Sequence, residues 1–483
     1  MGKAQITTVS LAEWVAAAEA LAAGNATLLS LWGADGAVQM ALMDSDHGLH
    51  VLTLPTETTF PSVARPHAPA QRLERAITDL YGLIPAATPD PRPWLDHGRW
   101  PMRHPLGAQG PVEDAPPYAF LPVEGESLHK VAVGPVHAGI IEPGHFRFTA
   151  QGETVVRLEE RLGYTHKGVD ALMQGATLER GTQIAGRVSG DSVVAYQWGF
   201  ARAVETALGA VVPPRAIALR AVMAEMERLA NHLGDIGAIC NDAAFAMMLA
   251  QCGALRERTL RAVDLAFGHR FCRDCIHPGG VRRDLTAEGA LRDLVAEVRA
   301  RFPALVALYD GTASLQDRTV ATGTLSPALA ARFGAGGYVG RASGRDFDTR
   351  RDLPYAPYDR LSFTVPTRAE GDVNARVWVR IHEVEQSLAL LTQLLDTLPA
   401  GPIHADLPTQ AEPSAALTLT EGFRGDVLVW LALDATGAIT RCHLRDPSWF
   451  QWPLLEAVID RNIIADFPLC NKSFNCSYSG VDL

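Results

Sequence analysis

The chain has 483 residues, 47% of them apolar and 20% charged, enough for a sizeable buried core spread over two or three domains. A net charge of −11, with no block of Lys or Arg, excludes the basic footprint that nucleic-acid binding needs. No run of about 18 uncharged apolar residues occurs, so no membrane-spanning helix is predicted and any membrane link has to come through partners.

Ser10-Leu11-Ala12-Glu13 reads as a capping box opening an Ala-rich helix that ends near Gly24. Glu13 and Glu19 and the lack of a basic leader argue against a secretory signal. Residues 27–32, 37–43 and 50–54 predict strands, with a turn at Ala34-Asp35-Gly36 after the first, and residues 71–81 predict a helix ending at Gly82. Residues 1–84 thus form a small α/β module. Ten of the 31 prolines lie between Pro85 and Pro122, which marks an extended connector over 85–125. Residues 126–483 form the larger domain. It opens with extended runs at Val131 and Val133 and at Phe146 and Phe148, either side of a loop at 134–144. Helical patterns follow over roughly 190–211, 215–240, 243–267, 286–309 and 372–397, broken by Pro213-Pro214 and Pro278-Gly279-Gly280. Residues 416–443 read as a strand pair turning at Asp434-Ala435-Thr436-Gly437. The fold class is α+β: a small α/β module, then a mainly helical domain with short sheets.

Seven cysteines, an odd number over a long chain, predict reduced thiols in the cytoplasm and no disulfide framework. The single CxxC, Cys272-Arg273-Asp274-Cys275, is flanked by His269 and His277. It reads as two loop cysteines, with a metal site as the alternative.

Several ordered motifs then carry a resemblance. Glu74-Arg75-Ala76-Ile77-Thr78-Asp79-Leu80-Tyr81-Gly82, with Trp100 and His104-Pro105-Leu106, resembles the C-type peripheral-arm subunit of respiratory complex I. Gly134-Pro135-Val136-His137-Ala138-Gly139-Ile140-Ile141-Glu142-Pro143 resembles the opening of group 4, energy-converting nickel–iron hydrogenase large subunits of the formate hydrogenlyase type. Gly163-Tyr164-Thr165-His166-Lys167-Gly168 with Met173 and Gly175 resembles a segment shared with the complex I D-type subunit. Glu227-Arg228-Leu229-Ala230-Asn231-His232-Leu233, Asn241-Asp242, Arg341-Ala342-Ser343-Gly344 and Gly371-Asp372-Val373 continue the series. The resemblance covers nearly the whole chain and implies a C-type module fused ahead of a large subunit.

It also exposes a departure. In the hydrogenases a CGxC after an arginine and a DPCxxC near the C-terminus supply four thiolates, which suit nickel and low-spin iron. Here the first reads Arg187-Val188-Ser189-Gly190-Asp191-Ser192, and the second reads Arg445-Asp446-Pro447-Ser448-Trp449-Phe450-Gln451. Ser189, Ser192, Ser448 and Gln451 then stand for the thiolates, and hard neutral ligands do not replace them. The residues with which complex I holds a quinone headgroup are also absent: Ile141 stands for the histidine and Gly190 for the tyrosine. Ala465-Asp466-Phe467-Pro468-Leu469, Asn471-Lys472-Ser473-Phe474-Asn475 and Tyr478-Ser479-Gly480 resemble the tail of cofactor-free relatives of the group 4 hydrogenases.

The resemblance implies a proton-relay role for Glu142, with His137 as its partner or as a loop residue. Asp242 matches an acid beside the lost quinone histidine and is a catalytic candidate on that ground; with Ile141 in the histidine's place, the favoured reading is a helix-end structural residue. Ser189, Asp191, Ser192, Ser448 and Gln451 would line the vacated cavity as cofactor-binding candidates, helix capping being the alternative for the first three. Arg341 is a further candidate, or an ion-paired scaffold residue. The implied function is a subunit of a membrane-associated respiratory-type oxidoreductase, framing the electron-exit site, with a quinone as acceptor. No metal and no cofactor held by this chain are expected. The implied partners are a small iron–sulfur subunit, a ferredoxin-like iron–sulfur subunit and membrane antiporter-like subunits, on the cytoplasmic side of the inner membrane. A catalytically inactive scaffold and a formate-linked complex stay open as alternatives.

Overall fold

In the computed structural model, residues 4–108, 110, 117–409 and 412–482 are described. The N-terminal sheet has four strands in the order Gln5–Thr8, Leu49–Pro55, Ala37–Asp44, Ala26–Ala34, and the first pairs in parallel with its neighbour. The strand Gln5–Thr8 escapes the sequence pattern because all four of its residues are exposed. Ser10 does cap the helix Leu11–Ala22: its Oγ accepts the Glu13 N–H, and Glu13 Oε2 accepts the Ser10 N–H at 2.7 Å.

The helix Gln71–Tyr81 buries charge as well as carbon, and its acids hold the chain around it. Glu74 accepts the N–H groups of Val63 (2.5 Å) and Ala64 (3.0 Å). Asp79 Oδ2 accepts those of Trp94 (2.7 Å), Leu95 (2.6 Å) and Asp96 (3.2 Å). Arg75 donates to Asp90 and to the carbonyls of Arg92 and Pro93. The first part of the proline-rich connector is therefore pinned to the module, with Trp94 and Leu95 buried.

In the larger part, Leu128–Val133, His145–Gln151 and Thr154–Arg161 form an antiparallel sheet. The long helices Val193–Leu208, Pro214–Asp242, Ala246–Phe267, Glu288–Gly311 and Val373–Asp396 follow close to the predicted bounds. The predicted strand pair is a three-stranded meander, Ser414–Gly422, Gly425–Leu433 and Ile439–Arg445. The first hairpin is so tight, Gly422 opposite Gly425, that the apolar run hides it.

This last sheet lies against the N-terminal module. Arg445 Nε donates to the Leu29 carbonyl at 2.8 Å, Ser30 Oγ bonds His443 Nε2 at 2.8 Å, and His443 stacks on Trp32 at 4.8 Å. Module and large domain so share a packed face. Among the described residues no helix is long and apolar enough to cross a membrane.

Candidate functional site

The turn before Val193–Leu208 meets the C-terminal tail at a cleft of about 360 Å³, into which the loop at 134–144 also reaches. At its centre Arg424 grips Asp191 through two hydrogen bonds, Nη1 to Oδ1 at 2.7 Å and Nη2 to Oδ2 at 2.5 Å. The arginine side chain is 4% exposed and the aspartate 36%, so the pair forms a half-open floor. Burial would raise the Asp191 carboxyl, but Arg424 outweighs it and holds it below the usual carboxylate range. Arg424 Nε also donates to the Asn475 carbonyl, tying the sheet to the tail.

Ser189 Oγ donates to Asp191 Oδ1 at 2.8 Å and lies 3.0 Å from Ser477 Oγ. Ser477 Oγ in turn accepts the Gly480 N–H at 2.9 Å. Ser192 lies beside Asp191 and Arg424, at 3.4 and 3.3 Å, and is buried. Glu142 Oε2 accepts the Ser479 N–H at 3.0 Å from the cleft rim. Ile141 and Gly190 line the same cleft.

Four expectations need correction. Ser448 and Gln451 do not face Ser189 and Ser192. Ser448 Oγ accepts the Ser477 N–H at 2.8 Å from the layer behind, and Gln451 Nε2 is spent on the carbonyls of Gly336 and Arg424. The tail residue that meets Ser189 is Ser477, three residues before Gly480, the same spacing as Ser189 and Ser192. By contact and spacing, Ser477 and Gly480 answer the Ser189–Ser192 pair, and Ser448 and Gln451 do not. Arg341 is not in the cleft: it is enclosed by Glu383, Glu421 and Asp348, at 2.7, 3.0 and 3.4 Å. His137 does not pair with Glu142; its Nε2 lies 3.2 Å from the Tyr478 hydroxyl and its Nδ1 3.2 Å from the Pro135 carbonyl. Nor do the serines cap the following helix. Ser192 makes no cap bond, and Glu227 accepts the first N–H groups, Val194 at 2.7 Å and Ala195 at 3.2 Å. Burial pushes the Glu227 carboxyl up to about 8 against those bonds.

Asp242 is the last residue of Pro214–Asp242 and stands outside the cleft lining. Burial raises its carboxyl, opposed by Lys472, which does line the cleft. Arg424 and Ser477 are the site residues that sequence reasoning missed. The available signal was the Ser477-x-x-Gly480 spacing just before the end of the chain.

Residues 7–115 match the respiratory-chain NADH dehydrogenase 30 Kd subunit family, and residues 241–417 the 49 Kd subunit family. The chain is 33% identical to formate hydrogenlyase subunit 5 of Escherichia coli over 437 residues, covering 88% of this chain and 77% of the relative. It is 32% identical to hydrogenase-4 component G of the same organism, over 94% of this chain and 80% of the relative. The chain belongs to the family of energy-converting hydrogenase large subunits and the complex I 49 Kd subunit. Within that family it is also similar to the D-type subunit of the NADH-quinone oxidoreductase of Syntrophobacter fumaroxidans, 31% identical over 72% of this chain and 95% of the relative. A chain of the membrane-bound sulfane sulfur reductase, an archaeal respiratory membrane complex, superposes with a TM-score of 0.71 at 26% identity, over 75% of this chain and all of that one.

The donor set here does not fit the nickel–iron centre of the hydrogenase branch. Ser189, Ser192 and Ser477 offer hydroxyls already committed to hydrogen bonds, Gly480 offers no side chain, and the Arg424 cation lies against them. Soft metals select thiolates, and a guanidinium repels a cation.

Proposed function

We propose that this protein is the electron-exit subunit of a membrane respiratory-type oxidoreductase complex and works without a nickel–iron centre, its cleft receiving a quinone-class acceptor. The observation that carries the reading is the convergence of Ser189, Ser477, Glu142 and the Asp191–Arg424 pair on one open cleft. A subunit kept only as scaffold needs buried apolar contacts. A partly desolvated ion pair costs stability relative to apolar packing, so its retention at an open cleft favours a role in binding or charge movement.

Electrons would arrive from clusters on a small iron–sulfur subunit, fed through a ferredoxin-like one, since this chain has no four-cysteine set. Antiporter-like membrane subunits would hold the assembly on the cytoplasmic side of the inner membrane. Glu142, bound to a backbone N–H at the rim, would pass the protons that acceptor reduction consumes.

The test is quinone-linked turnover by the purified complex, with elemental analysis of the same sample. Turnover without stoichiometric nickel is expected. Stoichiometric nickel would overturn the metal-free reading, and an inert, nickel-free complex would leave the scaffold role.

A further inference from the structure

The Cys272-Arg273-Asp274-Cys275 segment is not absorbed by the cleft's chemistry. The Cys275 N–H bonds the Cys272 carbonyl at 3.1 Å and closes a four-residue turn. A turn of that kind brings its end Cα atoms within about 7 Å, close to the span that a disulfide bridges. The Cys275 thiol donates to the carbonyls of Phe267 and Arg273, each at 3.7 Å. Cys272 and Asp274 both hold left-handed backbone, φ 49° and 59°, a conformation costing side-chain-bearing residues about 1 kcal/mol or more each.

The surroundings fix this turn. Arg187 clasps Asp274 with two bonds of 2.8 Å, and His269 Nδ1 accepts the N–H groups of Phe271 and Arg273. His269 is thereby used as a turn anchor, and among the described residues no group of three or more His, Cys, Asp or Glu is placed to hold a metal. Beside Cys272 lies a small cavity of about 20 Å³, lined also by Asp191, Glu227 and Arg270. That is room for a molecule of water's size. The neighbouring Cys272 side chain and the Arg283 and Arg282 cations pull the Cys275 thiol below its usual range, against its burial and Asp274. Burial pushes the Cys272 thiol well up.

We propose that Cys272 and Cys275 form a reversible dithiol–disulfide site that takes a hydroperoxide as oxidant and a small dithiol as reductant. The inference goes beyond the electron-exit reading and stands whether or not the cleft reduces a quinone. With hydrogen peroxide, the thiolate of one of the two cysteines attacks one peroxide oxygen, the O–O bond breaks, and the leaving hydroxide takes up the thiol proton to form water. The sulfur of the other cysteine then attacks the resulting sulfenic sulfur. An S–S bond forms, and the hydroxyl leaves with that second thiol's proton as a second water. Two thiols have lost two electrons and the two peroxide oxygens have gained them. A dithiol reverses the step by exchange, becoming a disulfide itself.

The test treats the full complex with hydrogen peroxide, denatures it in acid, alkylates free thiols and measures peptide masses. The peptide carrying both cysteines should escape alkylation and lose the mass of two hydrogens, and dithiothreitol should restore it. The chain's remaining cysteines, all buried and outside any CxxC, should be alkylated as before. In Cys272→Ser, dimedone should trap a sulfenic acid on Cys275. Alkylation of both Cys272 and Cys275 after peroxide, or oxidation that dithiothreitol does not reverse, would overturn the proposal. The wild-type masses decide this even where the variant fails to fold.

Discussion

Two sets of charged residues in this protein carry equally clear sequence motifs yet sit in opposite environments. Around Arg341 the network is closed: Glu383 also bonds His232 at 2.7 Å, and Arg350 bridges Asp348 and Glu225 at 2.7 and 2.9 Å. Every one of these side chains is at most 3% exposed. At the cleft, by contrast, Asp191 is about a third open to solvent, at 36%, and Glu142 is exposed. A closed network fixes how helices meet a sheet, because each charge left unpaired there would be ruinous. An open one is free to exchange a proton or meet a ligand. The motif alone does not separate the two; burial does.

The largest expected effect follows from breaking the closed network. Arg341→Met leaves Glu383, Glu421 and Asp348 without a shared cation, and losing one partner of a buried pair costs about 3–5 kcal/mol. A thermal melt and the yield of assembled complex should both fall. The pH dependence has a definite sign. Burial, with Asp348 nearby, pushes the Glu421 carboxyl up to about 7, so its contribution to stability declines as pH rises from the ordinary glutamate range towards 7. Removing Arg341 raises that carboxyl further and extends the decline upward. The gap between variant and wild type should therefore widen from about pH 6 to about pH 8. A melt unchanged by the substitution would erase the contrast between the two regions.

An intermediate effect is expected at the cleft floor. Asp191→Asn keeps the shape but removes the anion that holds Arg424, loosening a charge-assisted pair of about 1–3 kcal/mol. Because Asp191 is partly open, water offsets some of that loss. The melt should fall by less than for Arg341→Met, while acceptor-linked turnover falls strongly. Equal losses of stability in the two variants would show that the cleft is scaffold too.

How much of this was legible in sequence depended on range. The long helices were, since apolar periodicity and breaks such as Pro213-Pro214 are local signals. Thr154–Arg161 was not, because its Glu159, Glu160 and Arg161 are buried in ion pairs and carbonyl contacts rather than paired by pattern. At the site, Ser189, Asp191 and Ser192 stood out by local motif. Their partners did not: Arg424 lies 233 residues from Asp191, and Ser477 lies 288 from Ser189. The register of the tail was misjudged for the same reason. Arg445-Asp446-Pro447 offered the fuller local match, the Ser477-x-x-Gly480 spacing is a weak signal by itself, and the contact across the cleft decides between them.

The smallest effect on stability, and the sharpest on function, is expected at the rim. Glu142 accepts a hydrogen bond from the Ser479 N–H, and its carbonyl-like oxygen survives in Glu142→Gln. The melt and the complex yield should stay within about 0.5 kcal/mol of wild type, as for surface substitutions generally. What the glutamine loses is the exchangeable proton. If protons reach the acceptor by way of Glu142, quinone-linked turnover should fall about 10²-fold or more, in line with removal of a general acid. Glu142→Asp, which keeps the acid on a shorter arm, should recover part of that loss, an outcome that no purely structural role for the residue produces. An unchanged rate in Glu142→Gln, with normal assembly, would end the relay proposal. It would also show that openness to solvent, which separates the cleft from the Arg341 network, is not sufficient to make a charged residue functional.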